Sequence, residues 1–171
     1  MSRFLSFCLA LFGVVGFISS VFAQAATDAQ SFLEQAAEGQ QIEISLGQLA
    51  AQRAVNEQVK DLGQEMAENH KKGGQQVEQL AMKGGVQLSP GVSEERKQKV
   101  NQISHLSSHA FDHAYIDYIL EDHEAMVEKF QRHAKTMQNE DIKRWIALIL
   151  PTLQTHREKA RQVKYRLQTN P

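Results

Sequence analysis

Cysteine is almost missing from this sequence. Its one occurrence, Cys8, falls inside a charge-free run from Phe4 to Ala23, "FLSFCLALFGVVGFISSVFA". One basic residue ahead of such a run, and small residues at its end, have the form of a secretory signal peptide over residues 1–23. The run is nearly long enough to stay as a membrane anchor, but the "VFA" and "AQA" stretches have the form of cleavage sites. Cleavage after Ala23 leaves residues 24–171 as a single domain without cysteine. That excludes disulfides, thiolate nucleophiles and zinc sites built on cysteines. The expected location is periplasmic or otherwise extracytoplasmic, with the membrane touched only through the leader.

Proline is equally scarce, at Pro90, Pro151 and Pro171, and only 7% of residues are aromatic. No segment alternates apolar and polar residues as a half-buried strand does, and no repeat of solenoid length is present. Charge of either sign is balanced, 19 Lys and Arg against 20 Asp and Glu. Without a basic block, nucleic acid is not an expected partner. No serine sits in a Gly-x-Ser-x-Gly turn. No histidine is preceded at three residues by glutamate: Ala67, Leu120 and Leu153 hold that position before His70, His123 and His156. The paired Glu-x-x-His of di-iron carboxylate bundles is therefore absent.

What remains is a helical composition dominated by Ala, Gln, Glu, Lys and Leu. The spacing predicts four long helices. The first runs over 28–53, opened by Thr27 and Gln30 in capping-box spacing, with a seam of Phe32, Ala36, Gly39, Glu43, Leu46 and Ala50. The second runs over 56–83 behind Asn56, with Val55, Val59, Leu62, Met66, His70, Val77 and Leu80 on one face and Gly84-Gly85 as its stop. Its Gly73-Gly74 pair is expected to bend or end it. The third spans 93–137, interrupted near 105–108, with Phe111, Tyr115, Ile116, Ile119, His123, Met126, Val127 and Phe130 inward. The fourth runs over 139–167 from Asn139, and Ile142, Ile146, Ile149, Leu153, His156, Ala160 and Val163 follow at steps of three and four. Pro151 either kinks this helix or restarts it. Short turns after the first and third helices make an all-α antiparallel four-helix bundle, with a short helix or break between the second and third long helices.

Polar residues interrupt these apolar seams. In an up-down-up-down order both turns lie at one end, and counting residues from them puts His70, His123 and His156 roughly 23–26 Å from that end. Glu43 comes out roughly 5–7 Å nearer the turns, with Glu38 closer to level. Buried polar groups need partners. A layer of imidazoles and a carboxylate finds them either in hydrogen bonds or in a metal ion, with iron, manganese, zinc and copper the candidates. The candidate ligands are Glu43, His70, His123 and His156, and Asp112, Tyr115 and Asp122 are candidates to orient them. Asp112 serves equally as a cap. His105, His109 and His113 form one face only if "HLSSHAFDH" is helical, and an exposed stripe is the plainer reading.

The words "FLEQAAEGQQIEISLGQLA", "VKDLGQEMAENH", "FDHAYIDYILEDHE" and "LPTLQTH" occur in this order between Phe32 and His156. The chain resembles a secreted bacterial family, the domain of unknown function DUF4142, over most of its length after the leader. The resemblance implies a ferritin-like bundle and export, and supplies no activity. The family's recurrent polar positions fall on Glu43, His70, Asp112, Tyr115, Asp122, His123 and His156. Its usual Asp-His pair is Asn69-His70 here. The expected function is a transition-metal-binding bundle or a non-catalytic envelope interaction protein with a hydrogen-bonded polar layer. A second copy or another envelope protein is the expected partner.

Overall fold

A computed structural model describes residues 12–89 and 91–169, with side chains from Ala26 onward. Of the expected leader, residues 1–11 lie outside the described residues. Among the described residues the protein is all helical, α1 Phe12–Arg53, α2 Glu57–Gly84, α3 Glu94–Ser104, α4 Ser108–Thr136 and α5 Glu140–Thr169. No helix among them is long and apolar enough to cross a membrane.

Short polar side chains set the helix starts. Asn56 Oδ1 accepts from the amides of Gln58 and Val59, at 2.9 and 3.4 Å. Asn139 does the same for Asp141 and Ile142, at 3.0 and 3.1 Å. These bonds satisfy amides that have no partner within the helix. Gly85, in the left-handed region at φ 65°, ends α2 and donates to Ala81 and Met82.

Three expectations fail locally. Thr27 and Gln30 open no helix, because α1 already runs through them from Phe12; the alanines at 23, 25 and 26 carry helix across that point. Gly73-Gly74 does not end α2, which continues to Gly84. Val55 precedes the Asn56 cap and is 47% exposed instead of facing the core. Pro151 lies inside an unbroken α5, so His156 keeps the phase of Leu153 and Ala160.

The larger correction is topological. α1 packs along α2 and α4 along α5, with further contacts between α2 and α5 and between α1 and α4. The α1–α2 turn meets the start of α4: Asp112 accepts from the amides of Val55 and Asn56, at 3.2 and 2.8 Å. Arg53 donates to the carbonyls of Ser104 and Leu106. The apolar cluster at that end holds Ala54, Val59, Phe111 and Leu167. Met137, at the α4–α5 turn, belongs to the opposite cluster with Ala29, Ala81 and Ile142. The two short turns therefore lie at opposite ends of the bundle, not at one. The connection through residues 85–107, including α3, returns the chain along the bundle so that α2 and α4 run in the same direction.

α1 and α2 approach at Gly47 and Gly63. A Cβ on Gly63 would lie 2.6 Å from Ala50 Cβ and 2.8 Å from the Gly47 carbonyl. A Cβ on Gly39 would meet nothing within 4 Å. Overpacking costs about 1–3 kcal/mol, whereas alanine gains about 1 kcal/mol over glycine in an unobstructed helix. Gly63→Ala is expected to lower the thermal midpoint and Gly39→Ala to leave it unchanged or raise it. Paired melts followed by circular dichroism check this, and equal shifts would mean the close approach carries no packing constraint.

Candidate metal centre

The middle of the bundle holds His70 from α2, His123 from α4 and His156 from α5, all buried. Their ring centroids are 5.3–5.5 Å apart in all three pairs. One ligand atom from each lies within 4.8 Å of the others. The count from a single end reached this layer despite the wrong topology. The layer sits near mid-height of long helices of similar length, so counting from either end gives nearly the same level.

Each imidazole is held by one nitrogen. His70 Nδ1 donates to Gln40 Oε1 at 2.9 Å, and His123 Nδ1 donates to the Ile119 carbonyl at 2.9 Å. Asn69 Nδ2 lies 3.1 Å from His156 Nε2 and, as placed, donates to it. The opposite nitrogens, His70 Nε2, His123 Nε2 and His156 Nδ1, are buried and have no hydrogen-bond partner among the described residues. For His70 and His123 the bonded nitrogen carries the proton, so the free nitrogen carries the lone pair. A tetrahedral site with N–metal bonds of about 2.0–2.1 Å places its nitrogens about 3.4 Å apart.

Asn69 decides the tautomer of His156. With its nitrogen toward the ring it donates to Nε2, and Nδ1 then holds the proton. Turned by 180°, its oxygen accepts Nε2–H and frees the Nδ1 lone pair. Gln40 and Asn69 are the functional residues that sequence reasoning missed or doubted. Gln40 left a signal in Gly73: a Cβ there would lie 2.8 Å from Gln40 Oε1. That glycine makes room for the side chain that orients His70.

Glu43 is fully buried but groups with Asp122 and His123, apart from His70 and His156. Its Oε1 is 3.8 Å from His123 Nδ1. Asp122 stands 3.6 Å from the Arg96 guanidinium. Tyr115 is buried with its hydroxyl unpartnered and is close enough for the Glu43 charge to act on it. Asp112 does not join the site, since both its oxygens cap the α1–α2 turn. Glu38 accepts from the Ser93 amide at 2.8 Å and holds α3 in place. His105 ends α3 while His109 and His113 lie on α4, so the three do not share one continuous helix.

Burial is the first cause of every shift in this layer. It holds His70 well below the usual imidazole range, helped by the nearby His123 and His156. It lowers His123 against the charge of Asp122 and the Ile119 bond. His156 falls to about 3 through burial, then the charges of His123 and Lys159. Burial, then the charge of Asp122 and a hydrogen bond with it, push Glu43 well above the usual carboxyl range. The imidazoles are thus neutral at pH 7, the form that binds metals.

Residues 19–163 match a family described as a domain of unknown function (DUF4142). No curated protein and no solved structure matches the chain.

Unfolded imidazoles take up protons below about pH 6.5 that the folded ones refuse. The stability they contribute is present above that value and is lost as pH falls from there toward the folded pKa values. Glu43 acts oppositely, its contribution being present below its ordinary 4.5 and lost as pH rises through its raised value. Three imidazoles outweigh one carboxyl, so metal-free protein is expected to lose stability between about pH 7 and pH 5. Urea midpoints at the two pH values test this; an equal or higher midpoint at the lower pH would contradict neutral burial of the cluster.

Proposed function

The chain belongs to the DUF4142 family, and we propose that it is an exported, ferritin-like bundle that binds one transition metal ion through His70, His123 and His156. The observation that carries this reading is the meeting of three buried imidazoles, one ligand atom of each within 4.8 Å of the others, with one ring nitrogen of each lacking a partner. Outer hydrogen bonds of this kind set the tautomer and orientation of metal-binding histidines. The long connection between α2 and α4 supports the ferritin-like assignment, since such folds carry one crossover among their helices. The charge-free run before Gln24 supports export.

Three neutral nitrogen donors favour zinc or copper over manganese, with iron intermediate. Three protein ligands leave a tetrahedral ion one open position for water or a small molecule. When bound, the ion supplies Lewis acidity or, for copper and iron, electron transfer. The chain's own residues hold the imidazoles apart and oriented, through Gln40, the Ile119 carbonyl and Asn69, and exclude bulk water from them. A purely hydrogen-bonded polar layer is the competing reading. It accounts for the three partnered nitrogens but leaves three others bare, at about 1–3 kcal/mol for each unsatisfied group.

Elemental analysis of untagged protein, processed and purified from the cell, is expected to find close to one equivalent of metal, lost in His156→Ala with helicity retained. No metal in either protein after incubation with iron, manganese, zinc and copper salts would make the layer structural. Asn69→Asp provides a finer check. A carboxylate accepts only Nε2–H, fixes the Nδ1 lone pair toward the site and raises ligand basicity, so zinc affinity is expected to rise about tenfold. Unchanged affinity in a competition titration would remove Asn69 from the control of His156.

A further inference from the structure

His123 shares a close cluster with His70 and His156, and Glu43 approaches its Nδ1 at 3.8 Å. Glu43 and Asp122 group with His123, and several polar atoms there lie buried without partners: both oxygens of Glu43, Oδ2 of Asp122, and the hydroxyl of Tyr115, which is near enough to feel the Glu43 charge. Native interiors seldom leave polar atoms so, and an ion or water is the usual explanation. Arg96 does not supply it. Its Nη2 stands 3.6 Å from Asp122 Oδ1, its Nε reaches Glu38 at 4.0 Å, and its Nη1 is itself unpartnered. One proton shared between Glu43 and Asp122 pairs one oxygen of each, and still leaves the other Glu43 oxygen and the Tyr115 hydroxyl bare.

We infer that Glu43, Asp122 and Tyr115 form a second cation site, separated from the three imidazoles by the ring of His123. Its donors are two carboxylates and a phenol, all oxygen, which suits a hard divalent ion such as manganese(II) or magnesium. His123 keeps its Nδ1–H bond to Ile119 and is the wall of this site, not its ligand. Asp122 also lines a surface cleft between α3 and α4 with Glu95, Arg96, Tyr118 and Glu121. It borders as well a cavity of ≈ 90 Å³ with Gly39 and Gln40. Asp122 thus lies both on this cleft, which carries Lys99 beside the acidic residues, and against the buried Glu43. Two unlike sites, one of nitrogen and one of oxygen, would then share the bundle centre. The role of His123 as a wall between two ions rests on the metal reading above; the carboxylate site does not.

The test loads the protein with one equivalent of zinc and titrates it with manganese(II), following the free-ion signal by electron paramagnetic resonance. One further equivalent is expected to bind. Glu43→Gln is nearly isosteric and replaces one carboxyl oxygen by an amide nitrogen, and Tyr115→Phe removes only the hydroxyl; circular dichroism establishes that each is folded. Glu43→Gln is expected to weaken manganese binding about tenfold or more and Tyr115→Phe by less, with zinc uptake retained in both. His156→Ala is expected to lose zinc and keep manganese. If the zinc-loaded protein binds no manganese, or Glu43→Gln binds it as tightly as the parent, the second site is overturned and the carboxyl pair holds a proton alone. Manganese binding that Glu43→Gln abolishes, in a protein that takes up no zinc, would overturn the imidazole site and leave this one standing.

Discussion

The structure depends most on the removal of three imidazoles and a carboxyl group from water at the middle of a helical bundle. An apolar layer would hold the same helices together at lower electrostatic cost. Burying these groups demands neutral forms and fixed partners, and that demand propagates outward. Gln40 must reach His70, so α2 has a glycine at 73 where any side chain would collide with it. Asn69 must reach His156 across the α2–α5 contact. His123 uses the carbonyl of its own preceding turn. The surrounding apolar clusters supply the stability that such a layer withholds, one at each end of the bundle.

The same layer divides by chemistry. His70, His123 and His156 gather their imidazoles, whereas Glu43 and Asp122 gather carboxyl groups beside His123. α3 closes over the oxygen side, held by Glu38 at the Ser93 amide and by Arg96 against Asp122. The crossover connection thus covers the part of the core where charge lies nearest the surface. A direct hairpin between α2 and α4 would leave that side open.

Much of the candidate site was legible before the fold. His156 sits in the stripe of Leu153 and Ala160, His123 in that of Ile119 and Val127, and His70 in that of Met66 and Val77. The 3.6-residue period alone marks them as inward. Gln40 was not legible, because glutamine next to glutamine on an amphipathic helix reads as surface. Asp112 stayed open between a cap and a site role because its partners, two backbone amides more than fifty residues away, leave no trace in local spacing. Glu43 was placed with the histidines, although its orientation across the helix puts it beside Asp122 and His123 only.

Periodicity, caps and the scarcity of cysteine, proline and strand patterns determined the helices, their inward faces and the presence of a polar layer at mid-height. These are properties of single segments and survive any arrangement of them. Only the tertiary structure decided that the two short turns lie at opposite ends, that α5 passes Pro151 unbroken, and which nitrogen of each imidazole is left free. The turns, His70 and His156 depend on which helix lies against which, through contacts thirty or more residues apart in sequence, whereas His123 is fixed by the Ile119 carbonyl one turn before it.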